Sequence, residues 1–148
     1  MPDVVLVVDD EELVRELLVE MLEDAGFVVV AACNGAEALE RLAAQRVDLV
    51  LSDISMPVLD GYGLYQRLRD DAQGTTLPFI FLTAHGERPR LRQAKELGAD
   101  DYLVKPVSAE DLVVAVRALL ARRRKLEAAI SDRSGLRGFR VRNSIVGI

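Results

Sequence analysis

The sequence predicts an α/β fold: a doubly wound parallel sheet of five strands with helices on both of its faces. Short apolar runs recur five times, and segments with apolar residues at helical spacing separate them. Unbroken apolar runs are typical of parallel strands that are buried on both faces. The regular alternation of such strands with helices predicts a sheet that helices cover on each side.

The strands are assigned from these runs in chain order. The first covers residues 4–8, and the others cover 28–31, 47–52, 79–82 and 102–104. Their β-branched and aromatic residues are enriched in strands because these side chains pack well on a pleated surface.

Four helices are assigned from apolar residues at helical spacing and from the residues that end them. The first helix follows the first strand and ends at Gly26. The second begins near a turn at Asn34, and the third includes residues 64–68. The fourth covers residues 89–97 and stops at Gly98.

A fifth, long helix is predicted near the end of the chain. Ser108 is a suitable N-cap, and the acidic Glu110 and Asp111 behind it complement the helix dipole. An apolar stripe continues far along this helix, so we expect the helix to be extended; its members are Leu112, Val116, Leu119, Leu126 and Ile130.

Length and composition exclude several classes of protein. The 148 residues are the size of one domain with a short appendage, and 50% hydrophobic residues exclude a wholly disordered chain. One cysteine excludes an internal disulfide framework and a zinc site made from a cysteine cluster. No apolar run reaches the roughly 18 residues of a membrane span. The first strand follows Met1 closely, so we expect no signal peptide and a cytoplasmic protein.

The net charge of −5 is unevenly distributed along the chain. Residues 1–107 contain 10 Lys and Arg against 20 Asp and Glu, whereas residues 108–148 contain 9 against 4. The acidic body is therefore not expected to bind nucleic acid by itself. The basic segment 122–125 has two explanations, a solvated helix end that the dipole favours or a signalling helix that enters a dimer seam.

Polar residues follow four of the predicted strands. The first strand ends in Asp9-Asp10, the third in Asp53, the fourth in Thr83 and the fifth in Lys105. Ligands of doubly wound sheets bind outside the carboxyl ends of the strands. Each residue alone has an ordinary structural explanation, but their joint placement at one edge predicts a site.

This group of residues suits a metal and a phosphoryl group. Magnesium prefers carboxylate oxygens and often shares its coordination shell with a phosphate. Lys105 and Thr83 add a positive charge and a hydroxyl donor for phosphate oxygens. The site therefore suits phosphoryl transfer to a carboxylate. Asp53 is the best acceptor because it stands alone at the central strand, and Asp9 and Asp10 are better placed as metal ligands.

In these motifs the sequence resembles the receiver domain of two-component response regulators. The resemblance covers about residues 3–122 and implies a flavodoxin-like strand order of 2-1-3-4-5. It implies a receiver domain at 1–122 and a helical extension and linker or tail at 123–148. The motifs are Val-Asp-Asp-Glu at 8–11, Ser-Asp-Ile-Ser-Met-Pro at 52–57 with Asp-Gly at 60–61, Leu-Thr-Ala at 82–84, and Gly-Ala-Asp-Asp-Tyr-Leu-Val-Lys-Pro at 98–106.

The resemblance implies a magnesium-dependent phosphorelay function. Asp53 would accept the phosphoryl group from a histidine kinase or a phosphotransfer protein. Asp10, Asp53 and the backbone carbonyl of Ser55 would bind Mg²⁺, and Asp9 would help through water. The protein would be a signalling phosphoacceptor rather than an enzyme, although it would assist its own phosphorylation and dephosphorylation.

The resemblance also implies how the signal would leave the site. Lys105, Thr83 and the amide of Ala84 would hold the phosphate, and Thr83 and Tyr102 would form a switch pair. Their change would alter the face made by the fourth helix, the fifth strand and the fifth helix. That face would then signal to an output domain or a partner, with a homodimer as one option.

Three other functions share parts of this pattern. A flavodoxin-type carrier has the same sheet, but its phosphate loop is rich in Ser, Thr and Gly, and an acidic loop follows the first strand here. An aspartate-nucleophile phosphatase usually has one residue between two aspartates, whereas Asp9 and Asp10 are adjacent. A non-phosphorylated interaction module fits the fold and leaves the acidic cluster unexplained.

Two further expectations concern Cys33 and the chain end. Cys33 lies near the second strand and is expected to be a small buried hydrophobic residue rather than a redox sensor. Residues 144–148 look like the start of a strand, so we expect this chain to lead to an output domain that it does not contain.

Overall fold

A computed structural model describes residues 2–71, 76–84, 98 and 100–134 of the chain. Five parallel strands form one sheet in the order β2-β1-β3-β4-β5. The doubly wound sheet predicted from the sequence is therefore confirmed. Its strands are β1 (Val4–Val8), β2 (Val28–Ala32), β3 (Leu49–Asp53), β4 (Phe79–Thr83) and β5 (Asp101–Val104).

Four helices lie within the described residues. They are α1 (Glu12–Asp24), α2 (Gly35–Ala44), α3 (Gly61–Asp70) and α4 (Ala109–Ser134). The helix predicted at residues 89–97 lies outside the described residues, as do residues 135–148. Among the helices described, none has the length and apolar character that crossing a membrane requires.

Side-chain caps explain where three helices begin. The Asn34 side chain accepts a hydrogen bond from the Glu37 amide at 2.8 Å, and the Asp60 side chain accepts one from the Gly63 amide at 2.8 Å. Ser108 Oγ accepts from the Asp111 amide at 3.0 Å, as the sequence predicts. Each cap satisfies a backbone donor that the first turn of a helix leaves unpaired.

The sheet divides the apolar core into two clusters. Strands β1, β3 and β4 are buried along their whole length, which accounts for their unbroken apolar runs. One cluster is rich in aromatic side chains and packs residues of α3 on one face of the sheet. The other cluster is mostly aliphatic and packs α1 and α4 on the opposite face.

Strand β3 differs by a few residues from its predicted bounds. It begins at Leu49 rather than at residue 47, and it includes Asp53 as its last residue. Asp48 precedes the strand, and its carboxylate accepts a hydrogen bond from the Val4 amide at 2.7 Å. Asp53 belongs to the strand because the ladder with β4 continues past it, with the Ile54 amide donating to the Leu82 carbonyl at 3.1 Å.

The expectation that Cys33 is buried is wrong. Cys33 lies just after the last residue of β2, and its side chain is exposed. The chain leaves the sheet there and enters the α2 cap, where the Cys33 amide donates to the Glu37 carboxylate at 2.6 Å. The hydrogen bond and charge of Glu37, together with desolvation, raise the pKa of the Cys33 thiol above its ordinary value.

The loop between β3 and α3 passes very close to the end of β3. The Gly61 amide donates to the Ile54 carbonyl at 2.9 Å, and a Cβ atom on Gly61 would overlap the backbone carbonyl oxygen of Asp53. In the same loop Val58 has a φ of 71°, which is uncommon for a β-branched residue. The absence of a side chain at Gly61 thus lets the loop turn tightly beside Asp53.

Replacing Gly61 with alanine should lower the free energy of unfolding by about 1–3 kcal/mol, because the new methyl group must displace backbone. Urea denaturation of the wild-type and variant proteins measures this loss. Gly63→Ala is the matched control in the same helix. Its methyl group would meet the flexible Leu59 side chain, so its cost should be smaller. Equal losses in the two variants would contradict the steric explanation.

Candidate functional site at the carboxyl edge of the sheet

The parallel sheet brings the predicted site residues to one edge. Asp9 follows β1, Asp53 and Thr83 are the last residues of β3 and β4, and Lys105 follows β5. The register of the sheet pairs Asp53 with Leu82 and Thr83 with Val104. Neighbouring strands therefore end at nearly the same level, which is why their terminal side chains meet.

Three carboxylates form the centre of this edge. Asp9, Asp10 and Asp53 each present an oxygen atom, and these atoms lie within 4.8 Å of one another. Asp9 is fully buried and Asp53 is 7% exposed, whereas Asp10 is exposed. The prediction that these residues lie together is confirmed. Such a group of carboxylate oxygens is the donor set that a hard divalent cation prefers.

Lys105 supplies positive charge to the two buried carboxylates. Its Nζ atom lies 2.9 Å from Asp9 Oδ2 and 3.3 Å from Asp53 Oδ2. The ammonium group thus bridges the residue after β1 and the last residue of β3. Buried charges in folded proteins are generally paired in this way or coordinate a metal ion.

The site shifts the pKa values of both Asp53 and Lys105. Burial and the nearby Asp9 charge raise the pKa of Asp53 to about 6, although Lys105 opposes that shift. Burial by itself lowers the pKa of Lys105, but the hydrogen bond with Asp9 and the charges of Asp53 and Asp9 outweigh it and raise that pKa. Asp53 is therefore a carboxylate whose negative charge is poorly compensated, beside a lysine that stays protonated.

The remaining predicted residues lie around this cluster with different exposures. Thr83 is buried, and its hydroxyl donates to the Ala84 carbonyl at 3.3 Å. The Lys105 amide donates to the Thr83 carbonyl at 2.8 Å, which ties the end of β5 to the end of β4. Ser55 is exposed just beyond Asp53. Tyr102 is partly buried, pairs with Phe81 in the sheet and packs against the aromatic cluster.

Two residues at the site were not predicted from the sequence. Arg15 Nη1 donates to the Asp9 backbone carbonyl at 2.8 Å and so holds the turn between β1 and α1. Glu11 Oε1 lies 3.8 Å from Lys105 Nζ, and the Glu11 amide donates to Asp9 Oδ1 at 2.9 Å. Glu11 belongs to the Val-Asp-Asp-Glu motif at residues 8–11 and so had a sequence signal, whereas no sequence pattern distinguishes Arg15 from other helix arginines.

Comparison with known proteins assigns this chain to one family. The family described as response regulator receiver domain matches residues 5–117. A probable transcriptional regulator, ycf27, from Guillardia theta is 45% identical over 121 residues, which are 82% of this chain and 46% of that protein. The chain therefore spans less than half the length of that relative.

Solved structures agree with this assignment. A response regulator structure from Chloroflexus aurantiacus has a TM-score of 0.78 and 38% identity, and the match covers 82% of this chain and 99% of that one. The receiver domain of a sensor histidine kinase from Pseudomonas aeruginosa has a TM-score of 0.76 and 28% identity, covers 82% of this chain and 99% of that one, and has a magnesium ion coordinated in its active-site cleft.

The chain belongs to the response regulator receiver domain family of two-component signalling systems. This membership confirms the resemblance found in the four sequence motifs. It also excludes the flavodoxin-type carrier and the aspartate-nucleophile phosphatase as alternatives.

The raised pKa of Asp53 predicts a pH-dependent stability of the metal-free protein. A raised pKa means that the folded state binds this proton more tightly than the unfolded state. The destabilisation by Asp53 is absent below pH 3.8, its ordinary pKa, and fully present above pH of about 6. At pH 7.5, Asp53→Asn should raise the free energy of unfolding by about 1–3 kcal/mol, and this gain should vanish near pH 4.

Urea denaturation in the presence of a chelator at the two pH values measures this difference. Asp10→Asn is the control, because it removes an exposed carboxylate of the same cluster and should have a smaller effect. A gain in Asp53→Asn that is equally large at both pH values would show that the pKa shift is not its cause.

Proposed function

We propose that this domain is a phosphoacceptor in which Asp53 receives a phosphoryl group from a histidine kinase or a phosphotransfer protein. The observation that carries the proposal is the burial of the Asp53 carboxylate 3.3 Å from Lys105, beside Asp9 and Asp10 at one sheet edge. An Asp53 oxygen would form the new bond to phosphorus. The bond between phosphorus and the donor would break, and the leaving group would keep its electron pair.

Charge compensation explains why this carboxylate would be the acceptor. Burial and the nearby Asp9 destabilise the Asp53 anion, and a phosphoryl group on one of its oxygens would add a further negative charge, so the acceptor needs positive charge beside it. Lys105 already contacts Asp53 and would then hold a phosphate oxygen. The Thr83 hydroxyl and the Ala84 amide lie at the end of the neighbouring strand and would provide further donors.

Magnesium is the cofactor that the carboxylate cluster fits. Asp9, Asp10 and Asp53 present hard oxygen donors, and the Ser55 carbonyl lies two residues beyond Asp53. When bound, Mg²⁺ would neutralise the charge that develops on the phosphoryl oxygens. Asp10 is exposed and would face the incoming ion, while Asp9 is buried and engaged by Lys105, which suits a contact through water.

The signal would leave the site through Thr83 and Tyr102. Thr83 is buried at the end of β4, and Tyr102 lies on the adjacent strand β5 and is partly buried. A Thr83 hydroxyl that turns toward the phosphate would leave space for Tyr102 to move inward. The face that includes β5 and α4, which is the fifth helix predicted from the sequence, would change with it. This face would signal to an output domain or a partner, and a second copy of the chain is one such partner.

The domain organisation is part of the same proposal. Residues 1–122 would be the receiver domain, and residues 123–148 would be a helical extension and linker or tail that leads to an output domain. The coverage of only 46% of the ycf27 relative supports a longer architecture. We place the protein in the cytoplasm, as a signalling phosphoacceptor rather than an enzyme with its own substrate turnover.

Asp53→Asn should abolish phosphorylation by acetyl phosphate in the presence of magnesium. Intact mass of the wild-type protein should rise by one phosphoryl unit, and the variant should show no rise, because an amide oxygen is a poor nucleophile. Asp60→Asn is a matched control at a nearby helix cap. Phosphate on a serine or histidine of the wild-type protein would refute the assignment.

Asp10→Asn should weaken magnesium binding by about tenfold or more, since one charged ligand of a divalent cation is lost. Titration calorimetry with MgCl₂ on both proteins measures the affinity. Glu12→Gln, which removes an acidic residue in the first turn of α1, serves as the control. Unchanged affinity in Asp10→Asn would remove Asp10 from the ligand set.

A further inference from the structure

The basic segment of α4 makes specific contacts with the body of the domain. Arg123 Nη1 donates to the Asp48 backbone carbonyl at 3.0 Å, and Arg124 Nη1 lies 3.1 Å from Asp3 Oδ2. One and a half turns earlier, Arg117 Nη2 donates to the Ala25 carbonyl at the end of α1 at 3.1 Å. These arginines are three of the nine Lys and Arg residues in the segment 108–148.

The partners of Arg123 and Arg124 lie at the amino-terminal edge of the sheet. Asp3 precedes β1 and Asp48 precedes β3, so both lie at the end opposite Asp53 and Lys105. Asp48 is itself held, because its carboxylate accepts from the Val4 amide at 2.7 Å and from Arg46 Nη1 at 2.6 Å. The α4 arginines therefore attach to a firmly bonded part of the domain.

Arg123 is placed differently from an ordinary surface arginine. Its side chain is 26% exposed, and its Nε atom lies 3.3 Å from Glu127 Oε2 one turn further along α4. The Arg123 guanidinium thus contacts both Asp48, which precedes β3, and Glu127 in the next turn of α4. Arg123 also occupies the apolar stripe of α4, in line with Leu119, which is buried.

Beyond Arg124 the helix has a different environment. Leu126 and Ile130 continue the stripe, but their side chains are 57% and 55% exposed. Among the described residues, the polar contacts between α4 and the body end at Arg124. An isolated helical segment of about ten residues is marginal in water, so the helix beyond this point depends on its attachment.

We propose that Arg123 and Arg124 form a clamp that fixes α4 to the amino-terminal edge of the sheet. The clamp makes the distal part of α4, defined as residues 125–134, a rigid continuation of the receiver domain. The basic segment is thereby more than the solvated helix end that was one of its two predicted explanations. The clamp lies at the sheet edge opposite Asp53 and Lys105 and so stands apart from the phosphoacceptor role.

Amide hydrogen exchange on the 148-residue chain tests the clamp. The double variant Arg123→Gln/Arg124→Gln should exchange the amides of residues 125–134 at least tenfold faster than wild type. Exchange in β1 and β3 should stay slow, which shows that the domain is still folded. Lys125→Gln removes the same type of charge from an exposed position and should leave exchange unchanged.

A charge swap distinguishes loss of the Asp3–Arg124 ion pair from a general effect of losing one charge. Asp3→Arg and Arg124→Asp should each speed amide exchange in the distal part of α4, and the variant with both changes should restore slow exchange. Equal exchange rates in the wild-type protein and in the clamp variant, Arg123→Gln/Arg124→Gln, would overturn the proposal. Equal loosening by Lys125→Gln would also overturn it, since a general effect of helix charge would then explain the result.

Distance measurements give an independent readout. Cys33 is exposed and is the only cysteine of the sequence, so a spin label there can be paired with one at Ile130→Cys. The wild-type background should give one narrow distribution of distances, and the clamp variant a distribution at least twice as broad. Distributions of equal width would refute a rigid attachment through these arginines.

Discussion

The ion pairs of Lys105 with Asp9 and Asp53 are the interaction on which the site depends. Two carboxylates buried at one sheet edge repel each other, and the ammonium group 2.9 Å and 3.3 Å away compensates part of that repulsion. The compensation is incomplete, as the raised pKa of Asp53 shows. The domain thus keeps a carboxylate that any further positive charge would stabilise, which suits the cation-dependent phosphoacceptor role proposed above.

The two edges of the sheet carry opposite kinds of electrostatic structure. At the carboxyl edge, one lysine serves several acidic groups, so negative charge is in excess. At the amino-terminal edge, Arg46 pairs with Asp48 and Arg124 pairs with Asp3, while Arg123 bonds the Asp48 backbone carbonyl and pairs with Glu127. The charges are therefore paired at the amino-terminal edge, whereas the described residues of the carboxyl edge have more acidic groups than cations. The net charge of the whole chain hides this division.

Much of the fold and of the site could be predicted because both follow from regular patterns. Apolar runs mark buried strands, and parallel topology collects strand ends, so Asp9, Asp53 and Lys105 could be placed together. Contacts from arginine side chains to backbone carbonyls, such as Arg15 to Asp9, have no sequence pattern because every residue has a carbonyl. The burial of Cys33 was predicted wrongly because β2 ends at Ala32, and a difference of one residue in a strand end decides whether a side chain is buried.

The division of the core has a consequence for how this protein can be observed. The chain has no tryptophan, and its three tyrosines, Tyr62, Tyr65 and Tyr102, all belong to or pack against the aromatic cluster. The aliphatic cluster under α1 and α4 has Phe27 as its aromatic neighbour. Tyrosine fluorescence and near-ultraviolet circular dichroism therefore report on one side of the sheet. Loosening of α1 or α4 would be nearly silent to both spectroscopies.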